Sequence, residues 1–165
     1  MTPFSVPFYW QEIKNGSVSK RANVWEYYQA IRRCNIMVDR VETATIRLDS
    51  ERESYRGEAR GLRSYYYLEL IRNYGGVPLV LDNVSEHEDD WGSATKASFS
   101  DVARQIIKDS RAVIYDNTFL GWTSGVTDQA MCRWNKAMSA AVMSEAALYA
   151  ASPLNNDGTI TLSLI

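Results

Sequence analysis

The feature that most constrains this chain is the spacing of its apolar residues, which recur at steps of three and four over four separate stretches. Side chains at that spacing share one face of a helix, so each stretch is read as a helix with one buried stripe. The first series is Val24, Tyr28, Ile31, Cys34, Val38 and Val41, with Glu26, Arg32, Arg33, Asp39 and Arg40 on the other faces. It predicts a helix over about 23–43 with Asn23 as its cap. The second helix is capped by Asp49 or Ser50 and carries Glu51 and Glu53 in its first turn, where the helix dipole favours acids. Its stripe includes Tyr55, Ala59, Leu62, Tyr66 and Leu70, and Gly75-Gly76 with Pro78 beyond ends it near Asn73. The third starts at Ser98 or Ser100; Val102, Ile106 and Asp109 or Ser110 share a face, with Ala103, Ile107 and Ile114 beside it. The fourth is expected over about 129–151, with a stripe of small residues running from Ala137 to Ala151, and is stopped by Pro153.

The connecting segments are equally distinct. Residues 1–22 read as loop broken by Pro3 and Pro7. Val77-Pro78-Leu79-Val80-Leu81 is short and apolar, and Pro78 lacks the amide a central strand needs. It is expected to be an edge strand or an extended arm. Asp82 to Lys96 is polar and holds the acidic run Glu86-His87-Glu88-Asp89-Asp90, read as a solvated loop; residues 116–128 form another loop. The fold class is therefore all-α, with tetratricopeptide-like antiparallel helix pairs and one short extended arm after Gly75-Gly76-Val77-Pro78. No strict 34-residue repeat is visible, so this rests on helix lengths and on the aromatic and small contact residues. A length of 165 residues suits a single domain.

Composition removes several functions. Eighteen basic against 20 acidic residues leave a net charge of −2, which argues against a nucleic-acid binder. There is no 18-residue apolar run to span a membrane, no phosphate-binding glycine loop, and one histidine, His87, with no nucleophile beside it. The acidic run lacks the spacing of a calcium loop. Cys34 and Cys132 are read as reduced, buried thiols. An enzyme is not expected, and no cofactor or metal is implied.

Aromatic residues are the positive signal, with 10 Tyr and 5 Trp against 4 Phe. Tyr65, Tyr66 and Tyr67 sit about 100° apart around a helix and cannot form one platform, so they are assigned to packing. Aromatics in loops are the candidates for a ligand: Tyr9, Trp10, Trp91 and Trp122. Flat apolar faces with polar tips suit sugars.

One stretch is more specific. Glu58-Ala59-Arg60-Gly61-Leu62-Arg63-Ser64-Tyr65-Tyr66-Tyr67, followed by Tyr74-Gly75-Gly76-Val77-Pro78-Leu79, resembles the signature of SusD/RagB proteins. Residues 25–35 and 146–153 are similar to the helices before and after that signature, so the resemblance covers about residues 20–153. It implies a non-catalytic lipoprotein on the outer membrane of Bacteroidetes-type bacteria, which binds an oligosaccharide or polysaccharide and passes it to a SusC-like TonB-dependent barrel transporter. Contact with the membrane would come only through a lipid anchor that this chain lacks. The signature residues Glu58, Arg60, Arg63 and the tyrosines are expected to orient helices rather than touch ligand. Gly61 replaces the family's usual bulky aromatic, which leaves room for a large neighbour. Family members run to several hundred residues. Residues 1–165 are accordingly expected to be one fragment of the family's helical domain, without its C-terminal part. The alternative is a helical-repeat adaptor that binds a protein or peptide through helix faces carrying Arg32, Arg33 or Arg104.

Overall fold

A computed structural model of the chain describes residues 26–82, 95–123 and 133–156. Four α-helices carry it: α1 Tyr27–Arg40, α2 Asp49–Tyr74, α3 Phe99–Arg111 and α4 Lys136–Ala151. A π-helical segment, Ala112–Asp116, continues α3 without a break. The expected all-α class and antiparallel pairing are both present.

Side-chain contacts show the chain direction. Tyr27 meets Tyr66, Tyr28 meets Tyr67, and Glu42 pairs with Arg56, so α1 and α2 run antiparallel. Gly57 lies under Asn117, Arg63 reaches Asp109, and Gly76 lies against Phe99, so α2 and α3 are antiparallel too. Glu58 pairs with Arg133 and Arg72 with Glu145, which sets α4 parallel to α2 and antiparallel to α3. The shared core holds Ile31 of α1; Tyr67, Leu68, Leu70 and Ile71 of α2; Val102 and Ile106 of α3; and Val142 and Ala146 of α4.

Several helix ends differ from expectation. Asn23 lies outside the described residues, and α1 begins after Glu26 with no side-chain cap. At α2 the cap position belongs to Leu48; Asp49 lies inside the first turn, where its carboxylate still faces the positive end of the dipole. Ser98, not Ser100, caps α3, its Oγ accepting from the Asp101 amide at 3.1 Å. The helical run after α3 continues through Asp116, so the loop starts at Asn117. The fourth helix begins at Lys136 rather than near 129. Asn135 is extended and its Oδ1 accepts from the Met138 amide at 2.9 Å, which starts the helix there. Arg133 and Trp134 are thereby left out of the helix and pack sideways on α2.

That packing explains Gly61. The Trp134 indole occupies the space a Cβ at position 61 would need, and its Nε1 donates to Ser139 Oγ at 2.7 Å. The large neighbour inferred from the missing aromatic is Trp134.

After α2, Gly75 adopts φ 70°, a left-handed conformation open to glycine, and its amide closes the helix on Ile71 O at 3.0 Å. The chain then enters the extended arm. Among the described residues it makes a single isolated bridge, Pro78 with Lys96, so it is an arm and not an edge strand. Side chains from two helices hold it. Tyr28 donates to Pro78 O at 2.7 Å, and the Tyr67 hydroxyl both donates to Val80 O and accepts from Val80 N at 2.8 Å. Asn35 Nδ2 donates to Val80 O at 3.0 Å and Asp82 O at 3.1 Å.

Beneath the arm lies a buried polar cluster. Arg63 grips Asp109 through two bonds of 2.8 and 2.7 Å, and donates from Nη1 to Asn35 Oδ1 at 2.9 Å. Burial works against the Arg63 charge, but hydrogen bonding to Asp109 and its negative charge outweigh that and raise its pKa. Cys34 is buried beside this cluster as a free thiol, and burial pushes it up to about 11. Cys132 lies outside the described residues.

Candidate functional site

Asn117 builds the site. Its Oδ1 accepts from the amides of Phe119 at 3.0 Å and Leu120 at 2.8 Å, folding residues 117–120 into a tight turn. Its Nδ2 donates to Glu53 O at 2.6 Å and so fastens the turn to α2. Leu120 is drawn inward over Gly57. The Lys136 amide then donates to Gly121 O at 2.9 Å, tying the start of α4 to the same turn. With the loop fixed at both ends, Phe119 and Trp122 point outward, 52% and 57% exposed.

Between this loop and α2 is a cleft of about 400 Å³. Tyr55, Glu58, Phe119, Arg133 and Trp134 are among its walls, together with Gly121 and Thr123 on either side of Trp122. The Arg133 guanidinium lies over the Tyr55 ring, 5.3 Å from its centroid, and donates from Nε to Glu58 Oε1 at 2.7 Å. That bond to Glu58 raises the Arg133 pKa. Trp134 is committed to packing over Gly61 and to Ser139, so it is a rigid wall. The arrangement sets aromatic faces beside a carboxylate and a guanidinium. Such a site can cover the apolar face of a polyhydroxylated ring while exchanging hydrogen bonds with its hydroxyls.

Of the four loop aromatics read as ligand candidates, Trp122 is the one the described residues contain; it stands at the rim, between the cleft residues Gly121 and Thr123, and is not itself a wall of the cleft. Tyr9, Trp10 and Trp91 lie outside them. Phe119, Tyr55 and Arg133 were not singled out as ligand candidates. Phe119 carried a signal, standing three residues from Trp122 in the same loop. Tyr55 had been assigned to the buried stripe of α2, yet it is only half-buried. The tyrosines 65–67 pack as expected: Tyr65 on Trp134, Tyr66 on Tyr27, and Tyr67 fully buried against Tyr28. Glu58 and Arg63 do join elements, but Arg60 makes no ion pair among the described residues.

Residues 5–146 match the SusD-like family described as starch-binding and associating with the outer membrane. The chain belongs to the SusD-like family. The match begins earlier and ends sooner than the 20–153 read from the motif. Among solved structures, this SusD-like chain is similar to surface glycan-binding protein A from Bacteroides uniformis: 27% identity over 85% of this chain and 31% of that one, TM-score 0.69. It is also similar to a SusD-like protein from Bacteroides fragilis: 30% identity over 77% of this chain and 23% of that one, TM-score 0.66. A laminarin-binding SusD-like protein shares the fold, with 23% identity over 78% of this chain and 26% of that one, TM-score 0.67. The chain thus spans less than a third of each of these structures. No curated protein matches it. No described helix is long and apolar enough to cross a membrane.

Proposed function

We propose that this chain is part of a non-catalytic, surface-facing glycan-binding protein of the bacterial outer membrane, carried by a lipid anchor. It holds an oligosaccharide or polysaccharide for a SusC-like TonB-dependent transporter. The observation that carries the reading is the Asn117 loop, which turns Phe119 and Trp122 outward beside a cleft of mixed aromatic and charged character, in a chain of a starch-binding family. The glycan-binding name of the Bacteroides uniformis relative and the laminarin-binding name of the other support the same ligand class. Tyr9, Trp10 and Trp91 are the further contacts we assign to the ligand.

The test is affinity electrophoresis and calorimetry against laminarin and soluble starch. Trp122→Ala and Phe119→Ala are each expected to weaken binding by about two- to tenfold, the worth of one ring-stacking contact. Melting temperature should change little, because both side chains are more than half exposed. Unchanged binding in these two and in Tyr9→Ala, Trp10→Ala and Trp91→Ala would remove the site assignment. The transporter is tested by co-purification with a SusC-like barrel.

A further inference from the structure

A second and larger cavity, about 770 Å³, opens where α1, α2, α3 and the end of the arm meet. Its floor is the Arg63–Asp109 pair, whose charges cancel. Around it stand Arg60 from α2 and Arg104, Lys108 and Arg111 from α3. The three on α3 fall at i, i+4 and i+7, so they line one face, rising about 6 and 4.5 Å along the axis. Arg104 is matched by Asp101 at 2.8 Å. Among the described residues, neither Arg60 nor Lys108 has an ion-pair partner. Apart from Asp109, the one carboxylate in the lining is Asp116. A chain of net charge −2 therefore gathers an excess of cations in one concave place.

Folding accounts for only part of this. Like charges at i and i+4 weaken a helix. Lys108 and Arg111 lie in the last turn of α3 and gain from its dipole, but Arg60 is on another helix. Burial first, and then the charge of Arg60, lower the pKa of neighbouring Arg56, so the two guanidiniums repel. Beside these cations stands Tyr115, 65% exposed, with the Arg111 guanidinium 5.4 Å from its ring centroid. The π-helical segment carries Tyr115, and such segments are rare and gather at functional sites.

We propose that this cavity is a second binding site, for the acidic rings of a polyuronate glycan. Tyr115, backed on one face by Arg111, covers the face of the sugar ring, and Arg60 and Lys108 receive its carboxylates. The site is separate from the Trp122 cleft, and it rests on the glycan reading only in the choice of a sugar over an acidic peptide.

The probe is polygalacturonate, titrated into the full chain beside neutral laminarin and poly-glutamate. Polygalacturonate is expected to bind and to weaken as salt rises. Arg60→Glu and Lys108→Glu should each weaken it by about tenfold, and Tyr115→Ala by about two- to tenfold. Trp122→Ala should leave it unchanged. Lys108 and Tyr115 are exposed and Arg60 is half-buried, and a single cooperative melting transition in each variant shows that it folds. The proposal is overturned if polygalacturonate does not bind, or if the charge reversals leave its affinity unchanged. It is also overturned if poly-glutamate binds as tightly and Tyr115→Ala changes nothing. Laminarin bound through Trp122 without polygalacturonate binding sinks this site and leaves the proposed function standing. Polygalacturonate bound through Arg60, with no neutral glycan bound, does the reverse.

Discussion

Replacing Asp109 by Ala would strand the Arg63 charge in the centre of the helix stack. Both residues are buried, at 4% and 6% exposure, and Asp109 takes two of the Arg63 bonds. Removing one partner of such a pair leaves an uncompensated charge and destabilises by about 3–5 kcal/mol. A domain of this size has about 5–15 kcal/mol in total, so much of it would be lost. At about 2–4 °C per kcal/mol, the melting temperature should fall by about 6–20 °C. Urea unfolding followed by tryptophan fluorescence would read the change as a lower midpoint with the slope unchanged. The double variant Arg63→Met with Asp109→Leu removes both charges and fills the space with apolar groups. It should regain part of the loss but not all, because Asn35 Oδ1 then loses its donor. An Asp109→Ala loss below about 1 kcal/mol, or a double variant less stable than the single, would refute the reasoning.

Three further outcomes are expected. Gly61→Ala should lower the melting temperature and shift the tryptophan emission, although Ala ordinarily stabilises a helix by about 1 kcal/mol over Gly, because its Cβ displaces Trp134; a rise would contradict this packing. Tyr67→Phe should cost about 1–2 kcal/mol and speed hydrogen exchange at the Val80 amide, which the hydroxyl accepts. Stability should decline as pH rises from about 9 through about 11, because the Cys34 thiol is held protonated in the fold and ionises more readily in the unfolded chain. Cys34→Ala should shallow that slope, with Tyr28 and Tyr67, also raised by burial, supplying what remains.

Much of the fold was legible because helix periodicity is a local property. Ile31, Cys34 and Val41 of the first stripe are buried, as are Ala59 and Leu70 of the second. The face of Val102 and Ile106 was expected to take in Asp109 or Ser110, and both are buried. The early start expected for the fourth helix failed where a local signal was present but outvoted. Asn135 is a strong cap, yet the residues before it read as helical until Trp134 is seen packing on α2. The binding surface was less legible. Trp122 could be named from its loop, but the cleft beside it needs Tyr55 from α2 and Arg133 from beyond the loop, 78 positions apart in the chain.

The sequence by itself determined four helical stretches, the turn at Gly75-Gly76, an arm that Pro78 keeps out of a sheet, and membership in a family through the run from Glu58 to Leu79. Each depends on neighbours in the chain, through periodicity, φ preference or a missing amide. Only the tertiary structure decided that Asp109 is the partner of Arg63, that Trp134 fills the space over Gly61, and that Arg60 joins Lys108 and Arg111 around one cavity. Those residues lie on different helices, and how far each helix slides along and turns against its neighbour is set by packing of the whole core, which no single stretch of residues encodes.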